Sequence, residues 1–263
     1  MFYRHHAIIN GLNDSITALA ISARRTETCL AIGCNDGQVA VVDFQSGNIL
    51  YRQRRTGIAV SSLISLPNDR KAFAAGYEDG RIIIHYAYER YTRRFEANTT
   101  GPITALAYDC GRNHLAVACD DRVILTLPAQ TDWDELGTFP SPPENVEARD
   151  QISRPVSIRF TPDGAHIVIA YLEHGIQICR VGDFTVSRVV APRTRIGSCD
   201  ISADARTIVL QNLYDGFDLL DLETDSLQTV KRDTGENVLL PTVFTKDATM
   251  SYSIFKYQVR KQH

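Results

Sequence analysis

The sequence predicts an all-β protein that repeats one unit of four short antiparallel strands. Three observations predict it. Apolar residues alternate with period two in short segments such as residues 38–44 and 81–86. Similar segments open at Ile16, Val60, Ile103, Val156, Ile196 and Leu240, at steps of 44, 43, 53, 40 and 44 residues. Turn residues recur at fixed places inside each step. A period of about 40–45 residues is that of a four-stranded propeller blade. The expected fold is therefore a β-propeller of antiparallel blades, five complete and a sixth partial, as one domain over residues 1–263.

In the first unit the expected strands are residues 16–22, 28–34, 38–44 and 48–52. Asp36-Gly37 turns the second strand into the third. Equivalent turns are expected at Asp79-Gly80, Asp121-Arg122, His174-Gly175 and Asp215-Gly216. Asp-Gly suits a two-residue hairpin, because Gly accepts positive φ and Asp bonds to nearby backbone. A second polar turn follows each first strand, at Asn68-Asp69, Gly111-Arg112-Asn113, Pro162-Asp163-Gly164 and Ala203-Asp204. Residues 2–9 precede the first unit and suit a strand.

These units resemble Trp-Asp (WD) repeats over about residues 10 to 245. Residues 161–164, TPDG, resemble that family's turn after the first strand. Residues 41–50, VVDFQSGNIL, and 219–228, LLDLETDSLQ, resemble the segment that ends in Trp-Asp. Asp43 and Asp221 hold the Asp position, but Val42 and Leu220 replace the Trp, and the single Trp is Trp133 elsewhere. The Gly-His pair before the first strand is missing, with Gly11-Leu12 near its place. The repeats are thus degenerate, and the His–Asp–Ser–Trp set of the family is complete in none of them.

The third step is long because residues 131–154 are inserted. Pro140, Pro142 and Pro143, with Asp132, Asp134, Glu135, Glu144, Glu147 and Asp150, predict an exposed loop there. Trp133 is expected to anchor that loop. Residues after the sixth opening do not complete a unit, which predicts an incomplete C-terminal blade cut from a longer parent.

Composition narrows the function. The 28 Lys and Arg against 31 Asp and Glu give a net charge of −3, unlike the basic excess of general nucleic-acid binders. The N-terminal residues lack the apolar run of a signal peptide. No apolar stretch reaches the roughly 18 residues of a membrane span. The six cysteines form no close pair, and most fall in apolar strands, where Cys acts as a small buried residue. A reduced, intracellular protein, cytoplasmic or nuclear, is expected.

No nucleophile elbow, zinc-protease motif, phosphate loop or dinucleotide fingerprint occurs, so neither an enzyme nor a cofactor or metal is expected. The turn acids read as hairpin geometry. Arg52, Arg54 and Arg55, and Arg90, Arg93 and Arg94, suggest phosphoinositide binding, but the Phe-Arg-Arg-Gly motif of propellers that do so is absent. Charge on an outer edge that discourages aggregation is the simpler reading. The resemblance implies a protein-interaction scaffold; the alternatives are a phosphoinositide-binding propeller and a propeller hydrolase. Turns after second and fourth strands share one end, the end that WD-repeat proteins commonly use. Arg81, Arg122 and Arg195 there are the expected partner contacts, since Arg is enriched at hot spots. Asp36, Asp79 and Asp215 are left to the turns.

Overall fold

The computed structural model describes residues 12, 14–23, 28–53, 57–67, 72–86, 93–95, 99, 101–128, 133–191, 193–231, 242–244 and 250–252. Among them the chain is all-β, with no α-helix and so none long and apolar enough to cross a membrane. Five four-stranded antiparallel sheets follow in chain order. The first holds β1 (Ile16–Ala23), β2 (Thr28–Cys34), β3 (Val39–Asp43) and β4 (Ile49–Gln53). The second holds β5 (Val60–Leu66), β6 (Ala72–Tyr77), β7 (Ile82–Tyr86) and β8 (Arg93–Phe95). The third holds β9 (Ile103–Asp109), β10 (His114–Cys119), β11 (Arg122–Pro128) and β12 (Trp133–Thr138). The fourth holds β13 (Pro155–Phe160), β14 (His166–Tyr171), β15 (Gly175–Arg180) and β16 (Val186–Val190). The fifth holds β17 (Ile196–Ile201), β18 (Thr207–Asn212), β19 (Gly216–Asp221) and β20 (Leu227–Lys231). A two-stranded sheet, β21 (Thr242–Phe244) with β22 (Met250–Tyr252), comes last.

Consecutive sheets meet through their first strands: β1 on β5, β5 on β9, β9 on β13, β13 on β17, and β17 on β21. The core lies in the seams between sheets. Val39, Val41, Phe73 and Tyr77 fill the first seam, and Ile82, Ile103, Leu115 and Val117 the second. Ala116, Leu125, Ile158 and Ile169 fill the third, and Val168, Ile176, Ile208 and Leu210 the fourth. Each buried Val, Leu, Ile or Phe among them contributes about 1.5–3 kcal/mol by leaving water. No sheet buries both faces alone, and stacking does it for them.

Hydroxyls near the start of the first strands tie these seams. Thr17 Oγ1 lies 2.5 Å from the Val60 carbonyl oxygen in the next sheet and 3.2 Å from that of Gly33. Thr104 Oγ1 lies 2.6 Å from the carbonyl oxygen of Pro155 in the next sheet. Ser157 Oγ donates to Cys199 O at 3.2 Å, and Ser198 Oγ lies 3.1 Å from Thr242 Oγ1. A register shift opens each of the five first-strand pairings, as a bulge does, and turns these residues toward the neighbour.

Three expectations change. Residues 133–138 of the expected loop form β12, paired with β11, so the irregular insertion is residues 139–154. Asp134 and Glu135 are exposed on this outermost strand, which tolerates charge, and the three prolines all follow it. Trp133 opens the strand; its side chain lies outside the described residues. The hairpins at Asp36-Gly37 and Asp79-Gly80 have three-residue loops, with Gly37 N donating to Cys34 O (3.0 Å) and Gly80 N to Tyr77 O (3.1 Å). Gly37 (φ 80°) and Gly80 (φ 83°) take the left-handed position that rejoins the strands. In the third sheet Cys119 pairs with Arg122, and Asp120, not a glycine, carries the positive φ of 47°.

Five cysteines are buried and Cys110 is exposed, and none of the six is in a disulfide. Residues 2–9, Arg24, Arg25, Arg54, Arg55, Asn68, Asp69, Arg90 and the last eleven residues lie outside the described part of the chain.

Candidate interaction face

One end of the stack collects the turns between second and third strands and the links that lead into first strands. One backbone bond fixes that end in all five sheets. The residue after the second strand donates its N–H to the residue that precedes, or nearly precedes, the first strand. The pairs are Asn35 to Ser15, Glu78 to Ala59, Asp120 to Pro102, Leu172 to Arg154 and Leu213 to Arg195. The turn acids serve the loops as expected. Asp36 Oδ1 accepts from Gln38 N (2.9 Å), Asp79 Oδ1 from Arg81 N (3.2 Å), and Asp215 Oδ1 from Asn212 Nδ2 (2.9 Å).

The opposite end is capped differently. Thr161 Oγ1 donates to Asp163 Oδ1 and Ser202 Oγ to Asp204 Oδ1, both at 2.6 Å. Those hydroxyls, helped by the N–H groups of Ala165 and Arg206, hold both carboxyls below their ordinary pKa. Both of these turns are closed by a hydroxyl-to-carboxylate bond.

The three expected contact arginines stand in different units, each with a local partner. Arg81 is half-buried and closes on Asp79, with Nε donating to Oδ2 at 2.7 Å. Arg122 is exposed, 4.0 Å from an equally exposed Asp121. Arg195 Nε lies 2.9 Å from Glu173 Oε1, and the Arg195 carbonyl accepts from Leu213 N.

Arg195 lines a cleft. The cleft has a volume of about 730 Å³ and opens where the insertion meets the fourth and fifth sheets. Asn145 and Arg149 of the insertion form one wall; Arg193, Arg195 and Tyr214 stand on the other side. Glu173, in the turn between β14 and β15, organises it. Its carboxylate is only 8% exposed, and Oε2 accepts from Arg149 N (2.8 Å) and Asp150 N (3.1 Å). Its carbonyl accepts from Asn145 Nδ2 at 2.5 Å. One residue thus ties the insertion and Arg195 to the fourth sheet, and Arg154–Asp150 at 2.6 Å braces the insertion's far side.

Two apolar side chains stand out here. Val146 is 90% exposed and Tyr214 82%, the two highest among the exposed large hydrophobic residues described. Val146 falls between cleft-lining Asn145 and Glu147. Neither residue carried a signal in the sequence: Tyr214 is one position before an expected turn, and Val146 lies in an acidic, proline-rich run. Among the described residues no group of three or more His, Cys, Asp or Glu is placed to hold a metal ion.

No protein-family model matches the chain, and no curated protein matches it.

Proposed function

We propose that this chain is an intracellular, non-catalytic propeller of the WD-repeat kind that serves as a protein-interaction scaffold. Five like sheets joined through their first strands support the propeller reading. Rigid stacked sheets that present loops at one end suit binding. The observation that carries the function is the pair Val146 and Tyr214, exposed beside a cleft on the end where the turns are locked by a repeated backbone bond. A cleft that sets an apolar side chain among polar groups suits contact with a partner protein. Tyr and Arg together are the usual anchors of such sites. Arg195 is the contact nearest the cleft, with Arg81 and Arg122 extending the same end.

The test is capture of partners from lysate by the purified protein and its variants. Arg195→Ala and Tyr214→Ala are expected to reduce capture, with smaller losses for Arg81→Ala and Arg122→Ala. Arg206→Ala, at the opposite end and paired with exposed Glu223, is expected to leave capture unchanged. Loss on Arg206→Ala with none on the other four would refute the proposed end.

A further inference from the structure

We infer that the cleft between the insertion and the fourth and fifth sheets takes an extended acidic peptide segment with one apolar side chain. The inference rests on the scaffold reading above and names the chemistry of the partner. Its ground is a local charge imbalance in a chain whose net charge is −3. Three arginines line the cleft: Arg149, Arg193 and Arg195. Two acids do: Glu147 and Glu173. Glu173 is already committed, because its two carboxylate oxygens hold Arg195 and two backbone N–H groups, which leaves Arg149 and Arg193 against Glu147, an excess of one positive charge. The guanidinium groups of Arg149 and Arg193 meet no carboxylate among the described residues, while nine other arginines each pair with one.

The two free guanidinium groups have a common geometry of supply. Arg149 is held through its own backbone N–H on Glu173, and Arg193 is two residues from Arg195, which Glu173 also holds. One buried carboxylate therefore holds the backbone of Arg149 and the side chain of Arg195, while the guanidinium groups of Arg149 and Arg193 stay exposed. A planar fork that is unpaired and anchored at its base suits bidentate pairing with a carboxylate. Tyr214 supplies a flat apolar surface in the same lining, and Val146 is exposed between lining residues Asn145 and Glu147. Carboxylates alternating with an apolar side chain on an extended strand meet both features. A duplex nucleic acid calls for a basic excess, whereas the net charge here is −3.

The probe is a short fluorescein-labelled peptide of Glu and Asp around a central Leu, read by fluorescence polarisation on the intact chain. A Lys-substituted version of the peptide and vesicles containing phosphatidylinositol phosphates are the competing probes. The acidic peptide is expected to bind, to weaken as salt rises, and to lose ~10-fold in affinity with Arg149→Ala or Arg193→Ala. Tyr214→Ala is expected to weaken it without changing the salt dependence. Both arginines are exposed and without an ion pair, so the melting temperature of these variants should match the parent and rule out misfolding as the cause. Equal binding of the Lys peptide, stronger binding to the vesicles, or unchanged affinity in both arginine variants overturns the inference. Partner capture that fails with Tyr214→Ala but survives Arg149→Ala with Arg193→Ala would sink this chemistry and leave the scaffold reading standing. Capture indifferent to all three would sink both.

Discussion

His85 Nδ1 lies 3.3 Å from the hydroxyl of Tyr51, across the seam between the first two sheets. Tyr51 donates its proton to Gln53 Oε1, so its oxygen accepts from Nδ1–H of the imidazole. The other ring nitrogen is 3.3 Å from the Tyr77 hydroxyl, which can donate to it. A fully buried imidazole is thus satisfied in its neutral form by one tyrosine from each sheet. Burial pulls the His85 pKa down to about 3.

That shift fixes a pH dependence. The unfolded chain protonates His85 near its ordinary value of 6.5, whereas the folded chain resists until about 3. Between these values the unfolded state holds more protons, so stability falls as pH falls through the window. The slope from this one group approaches about 1.4 kcal/mol per pH unit. Above 6.5 its contribution is complete and constant. His85→Gln keeps a donor and an acceptor but does not titrate. Urea melts across the window should show a smaller loss on acidification for the variant than for the parent; equal slopes would refute the assignment.

A second prediction concerns the close approach of neighbouring sheets. A Cβ on Gly33 would sit 2.5 Å from Val60 Cγ1, and one on Gly76 would collide with the side chain of Ile103. Val60 and Ile103 open the first strands of the next sheets, so the two glycines set the seam width at equivalent positions. Gly33→Ala and Gly76→Ala should each cost ~1–3 kcal/mol by overpacking. Val60→Ala should be harmful alone yet partly rescue Gly33→Ala, and a double-mutant cycle on thermal melts would expose the coupling. Simple additivity would show that the glycines have some other role.

The hydroxyl ties give a third. Thr104→Val keeps the shape of the side chain and removes the bond to Pro155 O. The carbonyl loses a partner at a seam, and the expected cost is about 0.5–1.5 kcal/mol. Thr17→Val should behave alike, since its hydroxyl reaches Val60 O in the same way. Chemical denaturation of the two variants measures it, and stability unchanged in both would mean the ties contribute nothing net.

The repeat was legible because second and third strands are buried and so keep their apolar pattern. In β10 five of six residues are buried, and β14 and β18 repeat that pattern. Fourth strands are mostly exposed, as β16 and β20 are, so their residues face water and lose the alternation. That is why β12, with Asp134 and Glu135, read as loop. The turn glycines were legible too, though loop length was not, because Asp-Gly fits two-residue and three-residue hairpins alike. The cleft was only partly legible. Arg195 stood out as an arginine at the end where the cleft opens. Glu173 did not, since its partners Arg149 and Asp150 are more than twenty residues away and come from an insertion with no repeat equivalent.

The last prediction isolates Glu173. Its carboxylate is nearly buried, and it accepts from two backbone N–H groups and from the Arg195 guanidinium. Glu173→Ala removes all three bonds and leaves the N–H groups of Arg149 and Asp150 without a partner in the cleft wall. Asn145 keeps its bond to the Glu173 backbone carbonyl, so one end of the insertion stays attached while the other is released. Arg195 is half exposed, so water can take over its guanidinium, and the global cost should be modest, about 1–3 kcal/mol. The local effect should be larger. Amide exchange at Arg149 and Asp150 should accelerate well beyond the global change, while exchange at Val168 and Leu210, in the core of the fourth seam, should follow global stability alone. Glu173→Gln retains acceptance through one oxygen and should fall between parent and Ala. If Glu173→Ala accelerates exchange uniformly along the chain, or not at all at Arg149 and Asp150, Glu173 is not what holds the insertion in place.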